Sequence, residues 1–313
     1  MTYVLNRLLS ILLTLFLISV ITFAVTAILP GDVATMIMGT QSNPEALAGL
    51  RKSLGLNDPL LVQYGRWIFG MASGDWGHSL VFKTAIGELL IQKLKASALI
   101  VVLSMTLALA AAVPLGVWAA VHRDRWQDGV ASAAALVGVS LPDFFWGIMM
   151  ILLFARTLGW FPSSGFADPA VNPALALSHA FLPAFALGLG LMAHLTRMTR
   201  SSMTEILAQE YIRVGRAKGL SERVIVWRYA LANAVGPVMT VAGLQIGYLF
   251  GSIIVVETLF NYTGMGWLTY QALLNRDIPL IQATVFVIAA IVMLSNLAVD
   301  LAYLYVDPRV RMK

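Results

Sequence analysis

The sequence predicts an all-α integral membrane protein of about six transmembrane helices, and three observations carry that reading. Of the 313 residues, 59% are hydrophobic and 12% charged, a balance at which a water-soluble domain of this length would hardly dissolve. Six apolar stretches, 8–29, 97–121, 130–155, 180–196, 232–256 and 279–299, each come near the roughly 20 residues that cross about 30 Å of hydrocarbon. The basic residues behind the net charge of +5 sit beside those stretches, which points to a lipid bilayer and not to nucleic acid. Cysteine is absent, so no disulfide framework or thiolate site is available.

The first stretch, 8–29, follows Arg7 as a signal peptide would, but its apolar run is too long and no A-x-A site follows, so it reads as a retained span. Residues 30–96 form the one sizeable outer region, a periplasmic cap whose turns (Pro30-Gly31, Asn57-Asp58-Pro59, Ser73-Gly74-Asp75) separate short amphipathic pieces. Its Tyr64, Trp67, Phe69 and Trp76 either anchor the cap at the membrane interface or meet a docking protein. A five-helix core then fills 97–305, interrupted by a polar loop at 200–231, and a tail follows at 306–313. No internal repeat is present, and the whole of 1–313 reads as one transmembrane domain. Lys and Arg in short loops set the orientation: Arg7, Arg123 and Arg125, seven between Arg197 and Arg228, then Arg309, Arg311 and Lys313 all fall on one side. That side, with both termini, is expected to be cytoplasmic, Arg276 being the clear exception.

Within the spans, Pro114, Pro142, Pro183 and Pro237 bend helices or simply reflect the commonness of proline in membranes. Asp143 is the one formal charge inside the six limits, and an intramembrane charge is a functional hypothesis by default; a structural place at a helix break after Pro142 is the competing reading. In the fifth span Gly243, Gly247 and Gly251 recur every fourth residue, a smooth face for helix packing. Gln245, Tyr248 and Ser252 lie on another face, about 130° away, where they line a polar route or bond to neighbouring helices.

The loop at 200–231 is too polar for the bilayer and too patterned for a linker. Residues 201–218 suit one helix, with Met203, Ile206, Leu207, Tyr211 and Val214 at spacings of three and four. Gly219 supplies the left-handed residue that ends it, and Ser221 the N-cap of a second helix with Glu222 in its first turn. Two short helices meeting at Gly219 would make a knob projecting into the cytoplasm.

This loop, RVGRAKGLSERV at 213–224, resembles the EAA loop of ABC importer membrane subunits in the form found in the dipeptide and oligopeptide permease family, whose members also carry nickel complexes, glutathione and opine-like compounds. Arg213, Val214 and Gly215 stand where the general pattern has Glu-Ala-Ala, a departure that matches the peptide-permease version. The resemblance extends to LPGD (29–32), LGLNDPLLVQYGRW (54–67), GDWGHSL (74–80), HRDRWQD (122–128), GVSLPDFFWG (138–147), VVETLFNYTGMG (255–266), RDIPLIQA (276–283) and DPRVR (307–311), nearly the full length. Thr263 replaces the family's usual proline. The resemblance implies a type I ABC importer permease fold of the first-permease type, in the bacterial inner membrane. Its partners would be a second homologous permease, two ATPase subunits or domains holding ATP and Mg, and a periplasmic or lipid-anchored substrate-binding protein. ATPase coupling would fall on Glu210, Tyr211, Arg213, Gly215, Arg216, Ala217, Lys218, Gly219, Leu220 and Ser221. Arg213, Arg216 and Lys218 either meet acidic rims on the ATPase or serve only as positive-inside residues. The implied cargo is a di- or oligopeptide or a similar small polar solute, crossing a path that Asp143, Gln245, Tyr248 and Ser252 would line.

No Gly-Lys dipeptide occurs, so this chain holds no Walker phosphate loop and no cofactor of its own is expected. His78, His122, His179 and His194 lack metal-ligand spacing, and there is no G-x-S-x-G elbow. An ion-coupled secondary transporter would show inverted repeats and ionisable groups near the midplane, and neither is evident. A membrane scaffold without transport would leave the polar face of the fifth span unexplained.

Overall fold

The computed structural model describes residues 2–28, 33–38 and 43–306; the LPGD and DPRVR motifs, with Arg309, Arg311 and Lys313, lie outside them. The described residues are built from helices, with one isolated bridge between His78 and Ala85. Five helices are long and apolar enough to span a membrane, and a bent pair makes a sixth. Contacts divide the chain into two compact units, Met1–Ala96 with Thr263–Met293 and Ser97–Tyr262 with Leu294–Lys313. Residues 263–293 thus group with 1–96, and 294–313 with 97–262.

In the first unit, α1 (Thr2–Ile28) carries exposed Leu8, Leu12, Leu13 and Phe16, apolar side chains of the kind a membrane span presents to lipid. The cap helices are α2 (Val33–Met38), α3 (Pro44–Ser53) and α4 (Leu60–Ser73). Tyr64 Oη lies 2.8 Å from Ser19 Oγ, and the rings of Tyr64 and Trp67 pack on Phe23 of α1, so these two aromatics hold the cap to its span. Phe69 alone of the four is bare, at 75% exposure. The apolar core joins Ile86 and Leu90 of α5 (Ile86–Val121) to Met265, Leu268 and Ala272 of α12 (Met265–Leu274) and Leu280 of α13 (Ile278–Val306). At its edge buried Asp277 accepts from Ser79 Oγ at 2.6 Å and from the Val81 N–H at 3.1 Å, fixing the loop that precedes α5. Gln282 Nε2 donates to Thr26 Oγ1 at 2.7 Å, tying α13 to α1.

In the second unit, α8 (Pro173–Leu207) is the central helix, packed against α6 (Trp126–Ser140), α7 (Asp143–Met150) and α11 (Leu231–Leu259). α5 crosses it so closely that a Cβ on Gly116 would strike Thr199 and the Thr196 carbonyl, a small-residue contact of the kind that holds membrane helices together without a hydrophobic drive. Three of the four prolines, Pro114, Pro183 and Pro237, sit inside continuous helices. Only Pro142 breaks one: it lacks an N–H and forces Leu141 to φ −107°, ψ 137°, so α6 and α7 meet at 100°. α7 then runs on as a π-helix over Ile151–Thr157. Glu257, which as a span-end acid should be wet, is instead fully buried and accepts a hydrogen bond from Ser97 Oγ.

Candidate coupling elbow and translocation face

The polar loop does not hold the single helix expected over 201–218. α8 continues past its apolar stretch to Leu207, the chain turns at Ala208–Gln209, and α9 (Glu210–Ala217) starts anew. The periodicity is unbroken because both sides of the corner feed one core: Met203 and Ile212 are buried together with Val117, Ile225 and Ala230, and Ile206 and Leu207 pack against them.

α9 ends in the way its glycine dictates. Gly219 has φ +79°, its N–H donates to the Arg216 carbonyl at 2.9 Å, and the Leu220 N–H reaches back to the Gly215 carbonyl at 3.2 Å. Leu220 folds over Gly215, giving this turn the apolar contact that usually accompanies a left-handed helix end. Ser221 occupies the N-cap position of α10 (Glu222–Val224) with extended backbone, yet its side chain makes no capping bond. The elbow is closed another way. Arg216 grips Glu222 through two hydrogen bonds, Nε to Oε1 at 2.7 Å and an Nη to Oε2 at 3.2 Å, so the two helices are clasped across Gly219. That bond raises the Arg216 pKa further above its ordinary high value. Arg216 is therefore committed within the chain, while Arg213 pairs with Glu210 at 3.3 Å on the same helix. Lys218 has no ion-pair partner among the described residues. Tyr211, Val214, Gly215, Lys218, Leu220 and Tyr229 line a groove of about 200 Å³ on the outer side of the elbow; Ala217 is exposed on the same helix. Both partners of the clasp are largely exposed, so it contributes under about 1 kcal/mol. Glu222→Lys should leave assembly intact and loosen coupling modestly, with Arg216→Glu on top restoring it; ATP hydrolysis per solute moved is the measurement.

α10 leads through a π-helix, Ile225–Ala230, into α11. On α11 Tyr248 Oη donates to Asp143 Oδ2 at 3.1 Å, so the break in the third span and the polar face of the fifth meet. Gly190 of α8 lets Asp143 approach: a Cβ there would stand 3.3 Å from Oδ1. Ser252 lies one turn beyond Tyr248 and half-buried Gln245 one turn before it. Leu244, Tyr248, Gly251 and Val255 recur at spacings of four, three and four along α11 and all are exposed, so this face is uncovered in the single chain. The glycine stripe divides. Gly243 abuts Val299 of α13, where a Cβ would collide, whereas a Cβ on Gly251 would meet nothing, and Gly247 is half-buried between them. The turn after α11 is packed despite Thr263: Phe260 and Tyr262 are fully buried, Phe166 stands edge-on to Tyr262 at 5.2 Å, and burial raises the Tyr262 phenol pKa.

One element went unread in the sequence. Asp128 in the first turn of α6 accepts two hydrogen bonds from the Arg200 guanidinium, one an Nη contact of 2.6 Å, and a third from the Asp124 N–H at 3.2 Å. The signal was two opposite charges just outside apolar stretches, Asp128 two residues before 130–155 and Arg200 four residues after 180–196. Among the described residues no three His, Asp or Glu side chains gather as metal ligands would.

A broken third span, a central fourth span and a paired-helix elbow between the fourth and fifth define a type I ABC importer permease. The chain belongs to the binding-protein-dependent transport system inner membrane components, whose family model matches 112–312, with the corresponding N-terminal model over 1–84. It is 38% identical to the dipeptide transport system permease protein DppB of Alkalihalophilus pseudofirmus, over 99% of each chain. It is 37% identical to the glutathione transport system permease protein GsiC of Salmonella paratyphi A, over the whole of both. Among solved structures, an inward-facing form of the MetNI methionine ABC transporter matches 70% of this chain and 96% of its own, with TM-score 0.59 at 19% identity. The chain is thus a multi-pass inner-membrane permease subunit of an ABC importer.

Proposed function

We propose that this chain forms half of the translocation path of an importer for di- and oligopeptides, driven by ATP that partner ATPases bind with Mg and hydrolyse. A second, homologous permease completes the path and a substrate-binding protein delivers the cargo from outside. Both termini and the elbow face the cytoplasm, in keeping with the Lys and Arg distribution. The chain itself performs no hydrolysis. The observation that carries this reading is the elbow: two short helices clasped across Gly219, joined by one tight turn to α8 on one side and running on into α11 on the other, the longest spans of the second unit. Closure of an ATPase pair against the elbow would move α8 and α11 as rigid bodies, a familiar route to alternating access. The exposed face of α11, with Tyr248 held to Asp143, is the part of the path this chain supplies.

Full-length identity to a dipeptide permease favours peptide cargo, and the similar identity to a glutathione permease keeps glutathione, itself a tripeptide, as the second reading. The test is to purify the assembly with its binding protein and measure ATP hydrolysis with dialanine or glutathione added. Stimulation by dialanine supports the first reading, by glutathione alone the second, and by neither overturns both. Within that assay Tyr248→Phe should lower uptake severalfold while stimulated hydrolysis persists; unchanged uptake would assign Tyr248 to packing.

A further inference from the structure

A cavity of about 350 Å³ opens between the end of α5 and the elbow's second helix with the π-helix that follows it, on lining largely distinct from that of the elbow groove. Its lining changes character along α5. Pro114, Val117 and Val121, with Val226 opposite, form an apolar wall, and Trp118, His122, Trp227 and Arg223 form the rim. Pro114 and His122 are eight residues apart, about 12 Å along the helix axis. The indoles of Trp118 and Trp227 are 37% and 49% exposed, so neither is spent on the core. Trp118 is braced by the His122 and Trp126 rings at 5.8 and 6.3 Å, and His122 Nδ1 donates to the Trp118 carbonyl at 2.9 Å. Glu222, the acid on the rim, is held by Arg216. Arg223 is exposed and has no acid paired with it among the described residues. Nearby in the chain, Arg123 pairs with Asp124 at 3.4 Å, and exposed Arg228 follows Trp227. The far wall lies on the π-helix of 225–230, a distortion that recurs at functional sites.

Around one opening the cavity thus offers apolar side chains, two indoles and an arginine, the three kinds of group that meet the acyl chain, interface and phosphate of a lipid. We propose that this cavity seats part of one anionic phospholipid, its phosphate at Arg223 and the upper part of one acyl chain along Pro114 and Val117, with the rest of the lipid lying outside the cavity. Arginine suits a phosphate because its planar fork can donate two parallel hydrogen bonds. A zwitterionic lipid brings its own cation to the same rim and gains less there. The assignment rests on the cytoplasmic placement of the elbow, where basic residues meet anionic headgroups; binding itself is read without reference to cargo or transport. Its occupancy would brace the stretch that carries elbow movement into α11.

The test is native mass spectrometry of the purified importer assembly in mild detergent, with phosphatidylglycerol or phosphatidylcholine added at equal concentration. Phosphatidylglycerol should be retained preferentially, and Arg223→Gln should lower its retention about fivefold, the effect of one basic contact at an anionic surface. Arg223→Lys should keep most of it, and Arg51→Gln in the cap should change nothing. Retention unaltered in Arg223→Gln, or equal retention of the two lipids, overturns the proposal. If Arg223→Gln does not assemble, Trp227→Ala removes the belt and keeps the cation, and unchanged retention there counts against the site equally.

Discussion

Gly219→Pro is expected to abolish binding-protein-stimulated ATP hydrolysis in the assembled importer, or to reduce it by about a hundredfold. The native φ of +79° is closed to proline, whose ring holds φ near −65°, and the substitution also deletes the N–H that donates to the Arg216 carbonyl. A misfit of that kind costs about 3 kcal/mol or more, which is about two decades in the population of the native elbow. Gly219→Ala keeps the N–H and meets only the left-handed penalty of about 1–2 kcal/mol, so its loss should be partial. Two measurements separate folding from coupling: co-purification of the ATPases reports assembly, and stimulated hydrolysis reports transmission. If Gly219→Pro assembles and hydrolyses normally, the elbow does not transmit.

The second large effect belongs to Arg200. Arg200→Met should destabilise the chain by about 3 kcal/mol, toward the lower end for breaking a buried ion pair because the guanidinium is a third exposed while Asp128 is only 6% exposed. The loss arises on the carboxylate, left in a packed site with only the Asp124 N–H and the Ser132 hydroxyl to hold its charge. Removing the charge at both ends, as Asp128→Asn with Arg200→Met, should recover part of it, since no buried ion then remains unpaired. The amount of chain in the membrane and its thermal unfolding in detergent are the readouts; equal damage in the single and double variants would show that packing, and not charge, is at stake.

The spans were legible because a bilayer makes a simple demand on length and apolarity, and residues 8–29, 97–121, 180–196, 232–256 and 279–299 all lie in helices that meet it, Leu29 excepted as lying outside the described residues. Gly219 was legible for an equally local reason, a backbone angle open chiefly to glycine. What escaped depends on three dimensions. The corner at Ala208–Gln209 leaves the apolar spacing intact, since Met203 and Ile212 bury into the same core from either side. Arg216 reads as a free basic residue until Glu222, six positions on, folds back to meet it. Asp128 and Arg200 are 72 residues apart, each just outside an apolar window, and no periodicity links them. The glycine stripe on α11 shows the limit from the other side: spacing defines a face, but only the fold shows that Val299 covers Gly243 and that, among the described residues, none covers Gly251.

The bend at Pro142 also bears on electrical insulation. α6 is 15 residues long, about 22 Å, and so it ends short of the roughly 30 Å of hydrocarbon. Its last carbonyls therefore end at membrane depth, where lipid offers them no donor. Trp146 Nε1 points to one of them, the Gly138 carbonyl, at 3.4 Å. The others call for water, and water at that depth, beside Asp143 and the uncovered Tyr248, would be a leak for protons and small ions. If the exposed face of α11 lines the path as proposed, a subunit that covers it would have to keep out that water as well as bound the cargo.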